Sequence, residues 1–157
     1  MTHRRILAPL AAAWLALAAA DARAAGAQDI VGLWLSHDQD AVIEMKPCSD
    51  DASAMCGTIV WDKDALPGSG KSVNDCGKRI AKLKKFDDGA WRDGWVHDPR
   101  DNKTYKGALR VKEGKLNIRA YLGVEVLGQT EELTHVDSLP AGCPAPVAPA
   151  ASAASKA

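Results

Sequence analysis

The chain has 157 residues, its 20 lysines and arginines are balanced by 20 aspartates and glutamates, and 46% of its residues are hydrophobic. So neutral a chain lacks the concentrated basic surface that phosphate backbones require, which excludes a nucleic-acid partner. The length supports one domain with a modest core.

The first element is an export signal. His3, Arg4 and Arg5 give a basic start, Ile6 to Ala20 is nearly all apolar, and Ala22-Arg23-Ala24 places small residues where a signal peptidase reads. The apolar run is about 15 residues, short of the roughly 20 that span a bilayer. Cleavage after Ala24 removes Arg4, Arg5, Arg23 and Asp21, leaving 17 basic and 19 acidic residues. The expected organisation is a signal peptide over 1–24, a single domain over 25–140, and an Ala/Pro/Ser-rich tail over 141–157 that is disordered after Cys143. The expected location is the periplasm, or secretion, with no transmembrane segment left after cleavage.

All four cysteines, Cys48, Cys56, Cys76 and Cys143, fall in the exported part, where an even number points to disulfides with three possible pairings. Cys48 and Cys56 flank the polar stretch SDDASAM between two strand-like runs, so a bond there staples a hairpin-like loop. Cys76 with Cys143 then follows by elimination. A metal site is disfavoured, because the cysteine spacings are wide and His37, His97 and His135 are scattered. No cofactor is expected.

Between residues 30 and 136 apolar residues recur with a period of two, not 3.6. In chain order the expected strands are 30–36, 41–46, 57–62, 80–86, 92–97, 103–111, 115–122 and 129–136. HDQD, FDDGA, DPRDNK and KEGK supply the turn residues between several of them. In YKGALRV and KLNIRAYL, Tyr105, Leu109 and Val111 oppose Leu116, Ile118, Ala120 and Leu122. The other faces carry Lys106 and Arg110, then Asn117 and Arg119, as in an antiparallel hairpin with one wet face. Residues 62–78 form a long irregular connection. Its GSGKS resembles the end of a phosphate-binding loop, but Asp64 stands where the first glycine belongs, and no βαβ unit follows. About eight short strands laid flat leave open edges, which closure into an up-and-down antiparallel barrel removes. A β-sandwich is the competing architecture.

Several pieces then arrive together: GLWLS, AVIEMKPC with MCGTIVWDKD, NDCGKRIAKL, GAWRDGWVHDPRDNKTYKGALRV, KLNIRAYLG and EELTHV. The most specific are Trp91, Gly94, Asp98-Pro99, Lys103-Thr104-Tyr105, Leu116, Arg119 and Gly123. In this order they resemble the bacterial exported family known as domain of unknown function 2147 over roughly residues 30–136. That family is similar to lipocalin-like, or calycin, barrels. The resemblance implies that Gly32 and Trp34 open the first strand, and that the tryptophan closes the base of the barrel against a basic side chain from the last strand. Members usually end in Trp-Thr-Arg where this chain has Leu133-Thr134-His135. His135 therefore stands in the arginine's place, which makes the contact sensitive to pH. The family's Asn-Pro after the long loop has Asn74-Asp75 as its nearest match.

Three functions are compatible with such a barrel. The first is binding of a small apolar or amphipathic molecule, with Trp91 and Trp95, astride a glycine on one strand face, and Tyr105 as candidate ligand contacts. The second is an interaction or maintenance role with another envelope protein. The third is an enzyme of unknown class. Asp62, Asp64, Asp75, Asp98 and Asp101 with His37 and His97 are acid–base candidates, but their spacing assembles no catalytic group, and no serine sits in a nucleophile elbow. No catalytic residue is assigned. Asp98, Asp101 and Asn102 could offer oxygens to calcium, without the pattern of a calcium loop.

Overall fold

The computed structural model describes residues 26–71, 74–141 and 143. The expected signal peptide over 1–24 and the expected disordered tail beyond Cys143 lie outside the described residues. Among the described residues nine strands follow one another: β1 (Gly32–Leu35), β2 (Ala41–Cys48), β3 (Asp51–Asp62), β4 (Arg79–Leu83), β5 (Lys85–Asp87), β6 (Ala90–Asp98), β7 (Lys103–Lys112), β8 (Lys115–Tyr121) and β9 (Gln129–Val136). β4 and β5 are two halves of one strand broken at Lys84, and both pair with β6. Every pairing is antiparallel, and β9 returns to β1. The result is a closed, eight-stranded, up-and-down barrel, and the described residues form no separate second sheet. Short helical turns occur at Lys63–Ala65 and Glu125–Leu127.

Alternation sets which side chains enter the barrel. On β7, Leu109 is fully buried while Lys106 is exposed and Arg110 half-buried; on the facing β8, Leu116 is fully buried. Trp34, Met45, Met55, Leu83, Trp91 and Leu133 join them in one continuous core. Each such side chain, once buried, stabilises the fold by about 1.5–3 kcal/mol.

The strand that departs furthest from its expected bounds is β3, expected over 57–62. β3 begins at Asp51, so only Ser49 and Asp50 turn the chain, and most of SDDASAM is strand. A register shift between Pro47 and Cys48 absorbs the extra residues of β3. Cys48 bonds to Cys56 across this irregularity with Cα atoms 5.0 Å apart, and the pair encloses Ala54 in a small buried cluster. Cys76 bonds to Cys143. That second bridge draws the chain end back along the barrel wall, where the Trp61 indole N–H donates to the Ala141 carbonyl at 3.2 Å.

A second irregularity lies in β6, where the register shifts between Trp91 and Gly94 and Asp93 takes a φ of +55°. Here β4 comes so close that a Cβ on Gly94 would sit 1.8 Å from the Lys82 carbonyl oxygen. Only glycine permits the two backbones to meet. The extra residue also reverses the alternation beyond it, with consequences for the site.

One end of the barrel is plugged. Residues 26–31 fold under it, Ile30 is 2% exposed, and two indoles fasten the segment from inside. Trp34 donates to the Ile30 carbonyl at 2.8 Å, and Trp91 donates to the Ala27 carbonyl at 2.9 Å.

Candidate functional site

The other end is open. Four connections surround it: the β1–β2 turn, the long β3–β4 loop, the β6–β7 turn and the β8–β9 loop. Below them lies a cavity of about 1020 Å³. Its wall carries Ile43, Ile59, Val96 and Ile118 from four different strands, with Tyr105 and Tyr121 nearer the mouth. Among the described residues, the plugged base and dense core leave room inside the barrel in its upper half.

The rim is acidic. The β1–β2 turn brings Asp38 and Asp40; the end of β3 and its loop bring Asp62, Asp64 and Asp75. The β6–β7 turn brings Asp98 and Asp101, and β9 brings Glu131 and Glu132. Among the described residues lining the cavity, Arg100 is the counter-charge and no lysine takes part. Arg100 grips Asp98 through two contacts, Nε to Oδ1 at 3.0 Å and Nη2 to Oδ2 at 3.1 Å. It also reaches Glu131 at 3.0 Å and Asp38 at 3.5 Å. The hydrogen bonds that Arg100 donates to Asp98, with Glu131 adding to them, hold the guanidinium above its already high range, although partial burial opposes the charge.

The other rim groups build the loops. Asp62, 7% exposed, accepts the backbone N–H of Asp64 with one oxygen and that of Asp75 with the other, pinning both ends of the long connection. Asp40 accepts from the Ser36 hydroxyl. Tyr105 donates its hydroxyl to Asp101 at 2.7 Å, and Asp101 also accepts the Lys103 N–H. The Tyr105 bond, first among several causes, lowers the Asp101 carboxyl below its ordinary range, while Asp101 raises the Tyr105 phenol above its own. His97 Nδ1 lies 3.0 Å from the Thr104 hydroxyl.

Closure thus gathers onto one rim all seven residues whose spacing had left them unassembled as acid–base candidates. Gathering does not make them a catalytic group. Asp62, Asp98 and Asp101 spend both oxygens on backbone, Arg100 or Tyr105, which also leaves Asp98 and Asp101 committed elsewhere as regards calcium. The Asp50 carboxylate lies beside Cys48 and Cys56, but the two sulfurs are bonded to each other and Asp50 pairs with Lys82 and Arg79.

Of the three aromatic candidates, Tyr105 lines the cavity. The expectation that Trp91 and Trp95 share a strand face needs correction. Trp91 points inward at the plugged end, opposite Leu109, whereas Trp95 lies opposite Lys106 and Lys82 on the outer face. The bulge at Asp93 inserts one residue between them and turns the second indole out. Neither borders the cavity.

Arg100, Glu131 and Asp38 escaped the sequence reading. Glu131 carried one usable signal: it stands two residues before Leu133 and so shares the inward face of β9. Arg119 proves structural. Its guanidinium holds the carbonyls of Glu125 and Val126 at 2.7 Å each and the Thr130 hydroxyl at 2.8 Å, folding the β8–β9 loop against the barrel. Glu125 in turn pairs with Arg92 and Arg110.

A family model described as "Uncharacterized protein conserved in bacteria (DUF2147)" matches residues 32–135. Among solved structures, the fold is similar to one titled "Protein HP1028 from the human pathogen Helicobacter pylori belongs to the lipocalin family". The TM-score is 0.53, with 14% identity, covering 68% of this chain and 82% of that one. At this identity the likeness is one of fold. A search of curated proteins finds no match.

Proposed function

The chain belongs to the bacterial family DUF2147, and from this membership and its lipocalin-like barrel we propose that it is an exported protein binding a small apolar or amphipathic molecule. The observation that carries the reading is the cavity. A barrel plugged at one end and open at the other, with an apolar wall and a polar rim, has the form of a small-molecule site. Its volume lies at the upper end of the range for such sites, about 300–1,000 Å³. The two disulfides support the exported, periplasmic setting, since such bonds persist in oxidising compartments.

The test is native mass spectrometry of the protein recovered from the periplasm of its own bacterium, beside an Ala120→Trp variant. Ala120 lines the cavity and is half-buried, so an indole there fills space that a guest would need. A releasable adduct on the parent and none on the variant is the expected result. An adduct-free parent, or an identical adduct on both, would defeat the reading.

A second reading, contact with an envelope protein, is favoured by one observation. Leu122, Val124, Val126 and Leu127 are 56–79% exposed on the β8–β9 loop, an unusual run of apolar side chains for a surface. Co-purification of a protein, with the cavity empty, would favour it.

A further inference from the structure

We propose that the occupant of the cavity is a cationic amphiphile, with an apolar body among Ile43, Ile59, Val96 and Ile118 and an ammonium or guanidinium head held by Glu131 and Asp38. The inference rests on the binding reading above and names the class of ligand.

Charge complementarity at the cavity carries it. Lysines outside the lining pair with Asp64, Asp75, Asp101 and Glu132. That leaves Asp38, Asp40, Asp62, Asp98 and Glu131 facing a single cation, Arg100. Among the described residues neither Asp40 nor Asp62 has a cationic partner; their oxygens accept from the Ser36 hydroxyl and from backbone N–H groups. An anionic head would enter a negative field concentrated by the low-dielectric barrel wall, whereas a cationic head would be drawn into it.

Arg100 shows what the rim accepts. Carboxylates from three separate parts of the chain, Asp38, Asp98 and Glu131, converge on one guanidinium that is itself 55% exposed. The two-point grip on Asp98 is local, two residues apart, and can persist when a guest arrives. The reaches to Glu131 and Asp38 are single contacts across the mouth. Glu131 also stands on the inward face of β9, opposite the cavity-lining Ile118. A ligand head displacing Arg100 there would hold its charge at the rim while its body continued down the apolar wall.

The experiment is isothermal titration calorimetry of the mature, disulfide-bonded chain with three probes of equal alkyl length: decyltrimethylammonium, decanol and decanoate. Decyltrimethylammonium should bind at least about tenfold tighter than decanoate, with the gap narrowing as salt is raised. Glu131→Gln should bring the cation's affinity down toward that of decanol and leave decanol itself unchanged. Decanol binding thereby reports that the variant barrel is intact, and Asp38→Asn serves if it is not. If decanoate matches or exceeds the cation while decanol binds, the ligand class is wrong and the binding reading stands. If no probe saturates, the binding reading fails and this inference with it.

Discussion

The imidazole of His135 stands nearly at right angles to the indole of Trp34, with ring centroids 5.2 Å apart and planes inclined by 84°. The two residues face each other in register across β9 and β1. Gly32 makes room for the pair: its φ is +141°, and a Cβ there would meet His135 Nε2 at 3.1 Å. The plugged end of the barrel therefore carries a perpendicular contact between an imidazole and a buried indole. Arginine stays charged at pH 8, where histidine side chains are ordinarily neutral, and in acid both types are cationic. His135→Arg should raise the melting temperature by a few degrees at pH 8, as fits a cation–π gain of about 0.5–1 kcal/mol, and change little at pH 5. Thermal melts of both proteins at the two pH values check this. An equal or lower value for the arginine form at pH 8 would refute it.

The two disulfides should differ in worth. They close loops of sequence separation 8 and 67, for which the chain-entropy model gives about 2.5 and about 4.4 kcal/mol. Urea denaturation of the paired Cys→Ala variants should show the larger loss for Cys76 and Cys143. The reverse order would mean that the buried packing of Cys48, Cys56 and Ala54 outweighs loop closure.

Tyr105 and Asp101 make the β6–β7 turn sensitive to pH at both extremes. The folded pKa of Asp101 lies below its unfolded value, so the stability it adds is present above the unfolded value and lost as pH falls through the folded one. Tyr105 is shifted upward, so its contribution is complete below the unfolded tyrosine value and lost as pH rises through the folded one. Stability from this pair is flat across neutral pH and declines only in strong acid and strong alkali. Tyr105→Phe should lose both limbs. Denaturation midpoints across the pH range, compared between parent and variant, would show a constant difference if the pair were irrelevant.

Arg119 spans three acceptors that hold the β8–β9 loop, and a lysine at that position could not reach them together. Arg119→Ala and Arg119→Lys should both speed amide exchange over residues 123–128. The alanine form should lose about 1–3 kcal/mol, the cost of leaving such groups unpaired. Hydrogen exchange read by mass spectrometry decides the matter; unchanged protection in the alanine variant would show that Glu125 with Arg92 and Arg110 suffices.

The barrel was legible because its signals are local. KEGK between YKGALRV and KLNIRAYL states a hairpin in eighteen consecutive residues, and β7 and β8 form it in the register that the alternation requires. The acidic rim was not legible, because Asp38, Asp98 and Glu131 meet only when β9 closes on β1. No periodicity in the chain links positions so far apart. Trp91 and Trp95 show a different limit. Their spacing of four fits a shared strand face, yet one inserted residue at Asp93 overturns it, beside the point where β4 packs against Gly94. An inserted residue of this kind leaves no periodic signal in β6.

Since β9 returns to β1 and β4 meets β6, the hydrogen-bonded circuit has no seam. A sheet with an edge can admit a larger guest by sliding or splaying its last strand, but a sealed ring has a calibre set by the number and stagger of its staves. On the binding function proposed above, relatives that share this ring would change their choice of guest by exchanging the side chains on the wall or by remodelling the four connections at the mouth. In this chain those connections are where the carboxylates are concentrated.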